Sequence, residues 1–290
     1  MEAFIRETLV KQGDESRVQS LTPVSGGDIN QSFYVETEKR SYFIKCNEKV
    51  ASHFFEVEAE GLKLIQNTGA IKVPEVYHYD IPQQGEKAAL AMEWIEPGSG
   101  SSASASNFGR QLAEMHNHTS NKYGYGKPTF VGELDQPNEW CTTWTSYYSH
   151  YRLKKQLEIG ISRGTITGQR HERLEKLIKR LTNFIPDRPK ASLLHGDLWG
   201  GNWMVDKDGK PVLIDPSILY GDHAFELAFT ELFGGFPHAF YNEYNAHHPL
   251  PDNYEDTKPV YQLFYLLVHL NIFGESYGPP VDRILKHYIG

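Results

Sequence analysis

Near residue 200 of this 290-residue chain, Asp197 and Asn202 stand in "HGDLWGGN", and Asp215 follows in "VLIDPS". The D-x-x-x-x-N spacing sets a carboxylate and a carboxamide on one tight loop, facing a common point. Such hard oxygen donors suit Mg²⁺ that bridges nucleotide phosphates, and a nearby carboxylate suits a hydroxyl that must be oriented and deprotonated. Asp197 is assigned the hydroxyl; Asn202 and Asp215 are assigned the metal. Taken alone, Asp197 and Asn202 could also be Asx-turn residues of a glycine-rich loop. Asp215, placed at the end of the next strand, shifts the balance toward chemistry.

A phosphotransferase also needs a cation for the nucleotide and a partner to hold it. "SYFIKC" alternates, so Phe43 and Lys45 share one face of a strand while Tyr42, Ile44 and Cys46 share the other. Lys45 is expected to point into a cleft at the α- and β-phosphates. In the helix that follows, "FEVEAEGL", Glu58 lies four residues before Leu62 and seven before Ile65, and so shares their inward face. Glu58 is taken as the partner of Lys45; Glu56 and Glu60 are read as solvated. Upstream, "PVSGGDINQSFYV" puts Gly26 and Gly27 at a strand-to-strand turn. Their amides could form an anion-binding nest over the phosphates, or simply a plain hairpin. "LAMEWIE" offers the backbone groups of Glu93 and Ile95 to adenine, with Met92 behind them.

The elements carrying these residues fall into two groups. Phe4, Ile5, Leu9 and Val10 have helical spacing that stops near Gly13. From there to Ile95 the order is strand, strand, strand, helix, strand, strand. "EPGSGSSASAS" then reads as a flexible linker. Beyond it the pattern is mostly helical: "NFGRQLAEMHNH", "EWCTTWTSYYSHYRLKKQLEIG", "QRHERLEKLIKRLTNFI", "HAFELAFTELF", "HAFYNEYNAHH" and "YEDTKPVYQLFYLLVHLNIF". The candidate loop and a hairpin turning at "DKDG" interrupt the helices. The expected organisation is α+β: a small sheet lobe over residues 1–95, a larger helical lobe over 96–290, and a cleft between them.

Composition narrows the function further. Hydrophobic residues make up 39% of the chain and aromatic residues 13%, enough for folded cores. A formal net charge of −8 argues against a general nucleic-acid binder. The two cysteines, Cys46 and Cys141, form no C-x-x-C pair, which speaks against a disulfide framework or thiolate zinc site. The N-terminal "MEAFIRETLVKQGDESR" lacks a signal-peptide apolar core, and no apolar run approaches the roughly 20 residues of a membrane span. A cytoplasmic protein with no membrane partner is expected. "HNH" at 116–118 and His247-His248 lack partners at metal-ligand spacing and read as helix-end and loop histidines.

Together these parts resemble the protein-kinase-like fold: glycine turn, strand lysine, helix glutamate, hinge, catalytic loop and metal aspartate. "HGD" replaces H-R-D, and no D-F-G or A-P-E follows Asp215, so the resemblance is to the small-molecule branch. "GDHAFELA" is similar to the G-D-x-x-x-D-L-A stretch of that branch, with Glu226 in place of aspartate. Within it, "GGDINQ", "FIKCN", "EAEGL", "HGDLWGGN", "DPS" and "TELFGGF" resemble the fructosamine kinase (ketosamine 3-kinase) family, and Trp199 is the most specific feature. The resemblance implies ATP-dependent phosphorylation of the O3 hydroxyl of ketosamines such as ribulosamine, erythrulosamine or fructosamine adducts, with Mg²⁺, in deglycation of proteins or amines. A kinase for another small alcohol (aminoglycoside or choline-like) and a catalytically dead nucleotide-binding scaffold are the competing readings. Trp199 is either a flat wall for the sugar or a packing residue. Asp222, Glu226 and Glu231 either meet a substrate ammonium or serve as a helix N-cap and solvated faces. His195 is expected to brace the loop.

Overall fold

The computed structural model describes residues 1–25, 29–83 and 85–290. Helix α1 (Glu2–Lys11) is followed by strands β1 (Val18–Val24), β2 (Gln31–Thr37) and β3 (Ser41–Glu48), helix α2 (Phe54–Asn67), and strands β4 (Val76–Tyr79) and β5 (Lys87–Glu93). The five strands form one antiparallel sheet in the order β1-β2-β3-β5-β4. Alternation along β3 divides its side chains as expected. Tyr42, Ile44 and Cys46 are buried with Ile5 and Leu9 of α1 in a small core on one face. Phe43 and Lys45 lie on the other. Val10 departs from expectation. It is 53% exposed, and Thr8 takes the inward place three residues after Ile5, satisfying its hydroxyl on Phe4 O at 3.0 Å.

The helical part starts earlier than expected. Helix α3 (Ser102–His116) begins inside the serine-rich stretch, so only residues 96–101 connect the two parts. Ser101 caps it: its Oγ accepts from Ser104 N at 3.0 Å, which satisfies an amide the helix itself leaves unpaired. The small residues also have a packing role. A Cβ on Gly109 would stand 2.2 Å from Phe240 O, because α3 crosses a later helix (His238–His247) closely.

Strand β6 (Thr119–Ser120), the hairpin β7 (Thr129–Val131) and β8 (Leu134–Gln136), and helices α4 (Trp144–Tyr147), α5 (Lys155–Arg163) and α6 (Gly168–Lys179) come next. A π-helical segment (Tyr148–Lys154) joins α4 to α5. This helical run starts at Trp144 rather than Glu139, because Thr143 caps it through Ser146 N at 3.2 Å. Strands β9 (Ala191–Leu194), β10 (Trp203–Val205), β11 (Pro211–Leu213) and β12 (Leu219–Gly221) carry the candidate loop. Helices α7 (His223–Thr230), α8 (His238–His247), α9 (Tyr254–Phe273) and α10 (Gly278–Ile289) complete the chain. Helix α10 was not foreseen. It opens on Gly-Pro-Pro, and proline is at home in a first helical turn. Among the described residues, no helix is long and apolar enough to cross a membrane.

Contacts fasten the sheet part to the helical part on both sides of the cleft. At the connecting segment Gly98 N donates to Val205 O at 2.8 Å, and Leu213 N of β11 donates to Lys72 O, ahead of β4, at 3.0 Å. A Cβ on Gly98 would stand 2.1 Å from Asp206 O, so only glycine permits this approach. On the α2 side, Glu60 accepts from Lys127 Nζ at 2.5 Å and from Tyr125 OH at 3.2 Å. Glu60 is therefore a structural tie and not the solvated residue expected from the sequence.

Candidate active site

Two cavities, of about 390 Å³ and about 630 Å³, meet between the two parts. Both are lined by Lys45, Trp199, Asn202 and Asp215. Asp197 and Glu58 face only the larger one, whereas Met92, Glu93, Trp94 and Ile95 face only the smaller.

Lys45 reaches two carboxylates at once. Its Nζ stands 2.7 Å from Glu58 Oε1 and 2.6 Å from Asp215 Oδ1, the latter 170 residues away in sequence. Burial works against its charge, but Asp215 and Glu58 outweigh it and hold the ammonium pKa above its usual value. The geometry depends on Gly61: a Cβ there would stand 3.1 Å from Pro216 and 3.3 Å from Ile218, so α2 lies directly on the segment after Asp215. Asp215 itself adopts φ +58°, a left-handed conformation that aspartate tolerates better than most residues.

The loop from His195 to Asn202 is held from within. His195 is fully buried; its Nε2–H donates to Ile214 O at 2.8 Å, while its Nδ1 accepts from Asp197 N at 3.3 Å. Burial lowers its pKa, which agrees with a neutral ring bracing the loop. Asn202 Nδ2 donates to Asp197 O at 2.7 Å and to Asp197 Oδ2 at 3.0 Å. That orientation leaves Oδ1 as the atom available for a cation. Burial pushes the Asp197 carboxyl up to about 7, against the pull of the Asn202 amide, and Asp215 and Glu226 add to the rise. An acid so tuned suits proton transfer near neutral pH. Gly196, at φ +83°, passes so close to the following segment that a Cβ would stand 1.9 Å from Ser217 O.

The three carboxylates considered for a substrate ammonium lie elsewhere. Glu226 is 0% exposed and supports the loop from beneath: Oε2 accepts from Gly196 N at 2.6 Å, and Oε1 from His195 N at 3.1 Å. Oε1 also lies 2.8 Å from His116 Nε2. Asp222 caps α7, accepting from Ala224 N at 3.0 Å and from Tyr261 OH at 2.6 Å. Glu231 is paired with Lys258 at 2.9 Å and lines neither cavity. Helical spacing places such residues on a face but says nothing about what packs against it. Trp199, read from the sequence as a sugar wall or a packing residue, is 42% exposed at the junction of the cavities, with its ring lying against Gly201.

On the nucleotide side, Met92 and Ile95 line the smaller cavity as expected. The amide of Glu93 does not face it freely, because it donates to Glu75 O at 2.8 Å. Trp94 was missed; its ring stacks edge-on against Tyr34, centroids 4.7 Å apart, and walls the cavity. Gly26 and Gly27 lie outside the described residues.

The model of the fructosamine kinase family matches residues 1–290. The chain belongs to that family. It is 38% identical over 267 residues to a probable ketoamine kinase of Enterococcus faecium, covering 92% of this chain and 94% of that one. It is 31% identical to a chloroplastic protein-ribulosamine 3-kinase of Arabidopsis thaliana, covering 98% and 87%. The crystal structure of a candidate fructosamine-3-kinase from Haemophilus somnus superposes with a TM-score of 0.89 at 29% identity, covering 99% of this chain and 97% of that one. An aminoglycoside phosphotransferase, at 15% identity and a TM-score of 0.65 over 100% of both chains, shares the protein-kinase-like fold. This family member is thus an ATP-dependent phosphotransferase with a sheet portion and a helical portion.

Proposed function

We propose that the chain phosphorylates the O3 hydroxyl of ketosamines, and that it acts in deglycation of amines or proteins. The observation that carries this reading is the convergence of Lys45, Glu58 and Asp215 beside Asp197 at the seam of two cavities. The ketoamine and ribulosamine kinase names of its relatives support the acceptor class. Residues 1–95 would form the nucleotide side and 96–290 the acceptor side. The smaller cavity takes the adenine against Met92, Trp94 and Ile95, and the larger takes the sugar, with Trp199 as its flat wall.

Asp215 and Asn202 present carboxylate and amide oxygens, the donors Mg²⁺ prefers, so the residues present fit that ion. Bound there with ATP, it would neutralise charge on the phosphates. Lys45, kept in place by Glu58, adds a second positive charge to the phosphates. Asp197 orients the hydroxyl for attack on the γ-phosphorus and accepts its proton. Fixed placement and charge neutralisation supply most of the acceleration. Two free thiols, Cys46 and Cys141, are in keeping with a reducing cytoplasm.

The test is Mg-ATP turnover of the purified chain against ribulosamine, erythrulosamine and fructosamine adducts of one amine, beside an aminoglycoside and choline. Position-specific analysis of the product should find phosphate on O3. Turnover of the other alcohols alone would replace the ketosamine reading. Mg-ATP binding without turnover of any acceptor would make the chain a nucleotide-binding scaffold.

A further inference from the structure

Tyr265, on α9, is 1% exposed and lines neither cavity, yet it reaches the catalytic loop. Its hydroxyl donates to Gly196 O at 2.9 Å. That carbonyl belongs to the peptide that leads into Asp197, whose N–H donates to His195 Nδ1 at 3.3 Å. The peptide plane before Asp197 is thus held at both of its polar atoms. The hold matters because Gly196, at φ +83°, has no Cβ to resist rotation, and rotation about its bonds carries the Asp197 carboxylate with it. Asn202 ties that carboxylate only to the loop itself, so the placement of the loop must come from outside it.

The tyrosine is itself fixed. Phe225 and Phe229, one turn apart on α7, stack on its ring with centroids 5.1 Å and 3.5 Å away and planes tilted by 21° and 1°. Glu226, between them in sequence, takes Gly196 N at 2.6 Å. Helix α7 therefore holds the amide of Gly196 while α9 holds its carbonyl. A phenylalanine would fill the same slot between rings. The hydroxyl adds a buried polar group that needs a partner, and among the described residues that partner is Gly196 O. Burial, with Glu226 and Asp197 nearby, raises the pKa of the phenol well above its usual value, so it stays a donor at neutral pH.

We propose that Tyr265 is a positioning residue for phosphoryl transfer: through the Gly196 carbonyl it sets where the Asp197 carboxylate meets the acceptor hydroxyl. The proposal rests on the reading of Asp197 as the group that takes the hydroxyl proton. It does not depend on which sugar carries that hydroxyl.

Tyr265→Phe keeps the stacked ring and deletes the hydroxyl. Mg-ATP turnover with the fastest acceptor of the panel above should show kcat falling about 10–10²-fold, the loss attached to displacing a reacting group by up to about 1 Å, with both KM values within about 3-fold of wild type. In Asp197→Asn, which has already lost the group being positioned, adding Tyr265→Phe should lower kcat by less than about 2-fold. Tyr148→Phe is the matched control, since it deletes a buried hydroxyl that donates to Val260 O at 2.8 Å, away from the loop. It should lower Tm as much as Tyr265→Phe does and leave kcat within about 2-fold. A wild-type kcat in Tyr265→Phe, the same fold loss with and without Asp197, or an equal kcat loss in Tyr148→Phe would make Tyr265 a packing residue and overturn the proposal, with the kinase reading left standing. Near-normal turnover by Asp197→Asn would overturn the role of Asp197 and the proposal with it, as would a wild type that turns over no acceptor.

Discussion

Replacing Glu226 by glutamine would test whether the catalytic loop depends on the carboxylate beneath it. The substitution keeps the shape of the side chain but turns one oxygen into an NH₂ group. In either orientation that NH₂ meets a donor: the Gly196 amide now 2.6 Å from Oε2, or the His195 amide now 3.1 Å from Oε1. One or two charge-assisted bonds are lost in a site that water does not reach, at about 1.5–3 kcal/mol each. The variant no longer buries a charge, which returns part of that, so a net loss of about 2–4 kcal/mol is expected. For a chain of this size that is a fall in Tm of about 4–8 °C. Asp197 lies two residues from His195, and displacement of a reacting group by about 1 Å can cost about 10²-fold in rate. Steady-state kinetics should therefore show kcat falling by more than KM for ATP rises, because Met92, Trp94 and Ile95 of the smaller cavity lie outside the displaced loop.

The pH dependence of this effect has a definite sign. Burial alone would raise the Glu226 pKa, but His116, His195 and the loop amides more than reverse it, so the folded value is lowered. Its contribution to stability is then complete above the unfolded glutamate value of about 4.3 and is lost only as pH falls through the lower folded value. The penalty of Glu226→Gln should be constant between pH 6 and pH 8. A wild-type Tm and kcat in the variant would mean that the native residue is protonated, and would refute the reasoning.

Asp197→Asn should lower kcat by about 10²–10⁴-fold with KM for ATP unchanged. In the wild type, kcat/KM for the acceptor should climb with pH through about 7, since the raised carboxyl must ionise before it can take a proton; a flat profile from pH 6 to 8 would remove it from that role. Gly196→Ala places a Cβ 1.9 Å from Ser217 O at a left-handed φ, so thermal unfolding should show a loss of at least about 3 kcal/mol. Asp14 accepts from Ser16 N, Thr37 Oγ1 and Tyr42 OH at 2.8–3.0 Å. Burial raises its pKa, but these bonds outweigh it and the net shift is downward, so its stabilisation is full above about pH 4 and fades as acid reaches the folded value. Denaturant unfolding of Asp14→Asn at pH 7 should show a loss of about 1–3 kcal/mol.

Much of the site was legible because short-range periodicity sets it. Strand alternation alone turned Lys45 away from the Tyr42 side, and helical spacing alone put Glu58 on the inward face of α2. The loop pair Asp197 and Asn202 needs only five residues of chain to meet. What sequence withheld depends on packing between distant segments. Glu226 became a loop brace because α7 lies under β9, beside a histidine 110 residues away. Glu60 found partners in Lys127 and Tyr125, which follow β6 and belong to the opposite side of the cleft. Phe233, His269, Phe273 and Tyr277 come from three separate segments, and only the folded chain brings them to one cavity. The serine run misled for a different reason: serine favours both linkers and helix caps, and composition does not separate the two.

The contact between Lys45 and Asp215 has a consequence for how the site fills. Asp215 is not a bare anion awaiting a metal; it already holds a resident counterion on one oxygen, at 2.6 Å. Lys45 would have to turn toward incoming phosphates for that carboxylate to gain a full share of another cation. Nucleotide and metal would then enter as a concerted exchange of partners, in which a divalent ion by itself gains little and the phosphates release the lysine that was standing in for it.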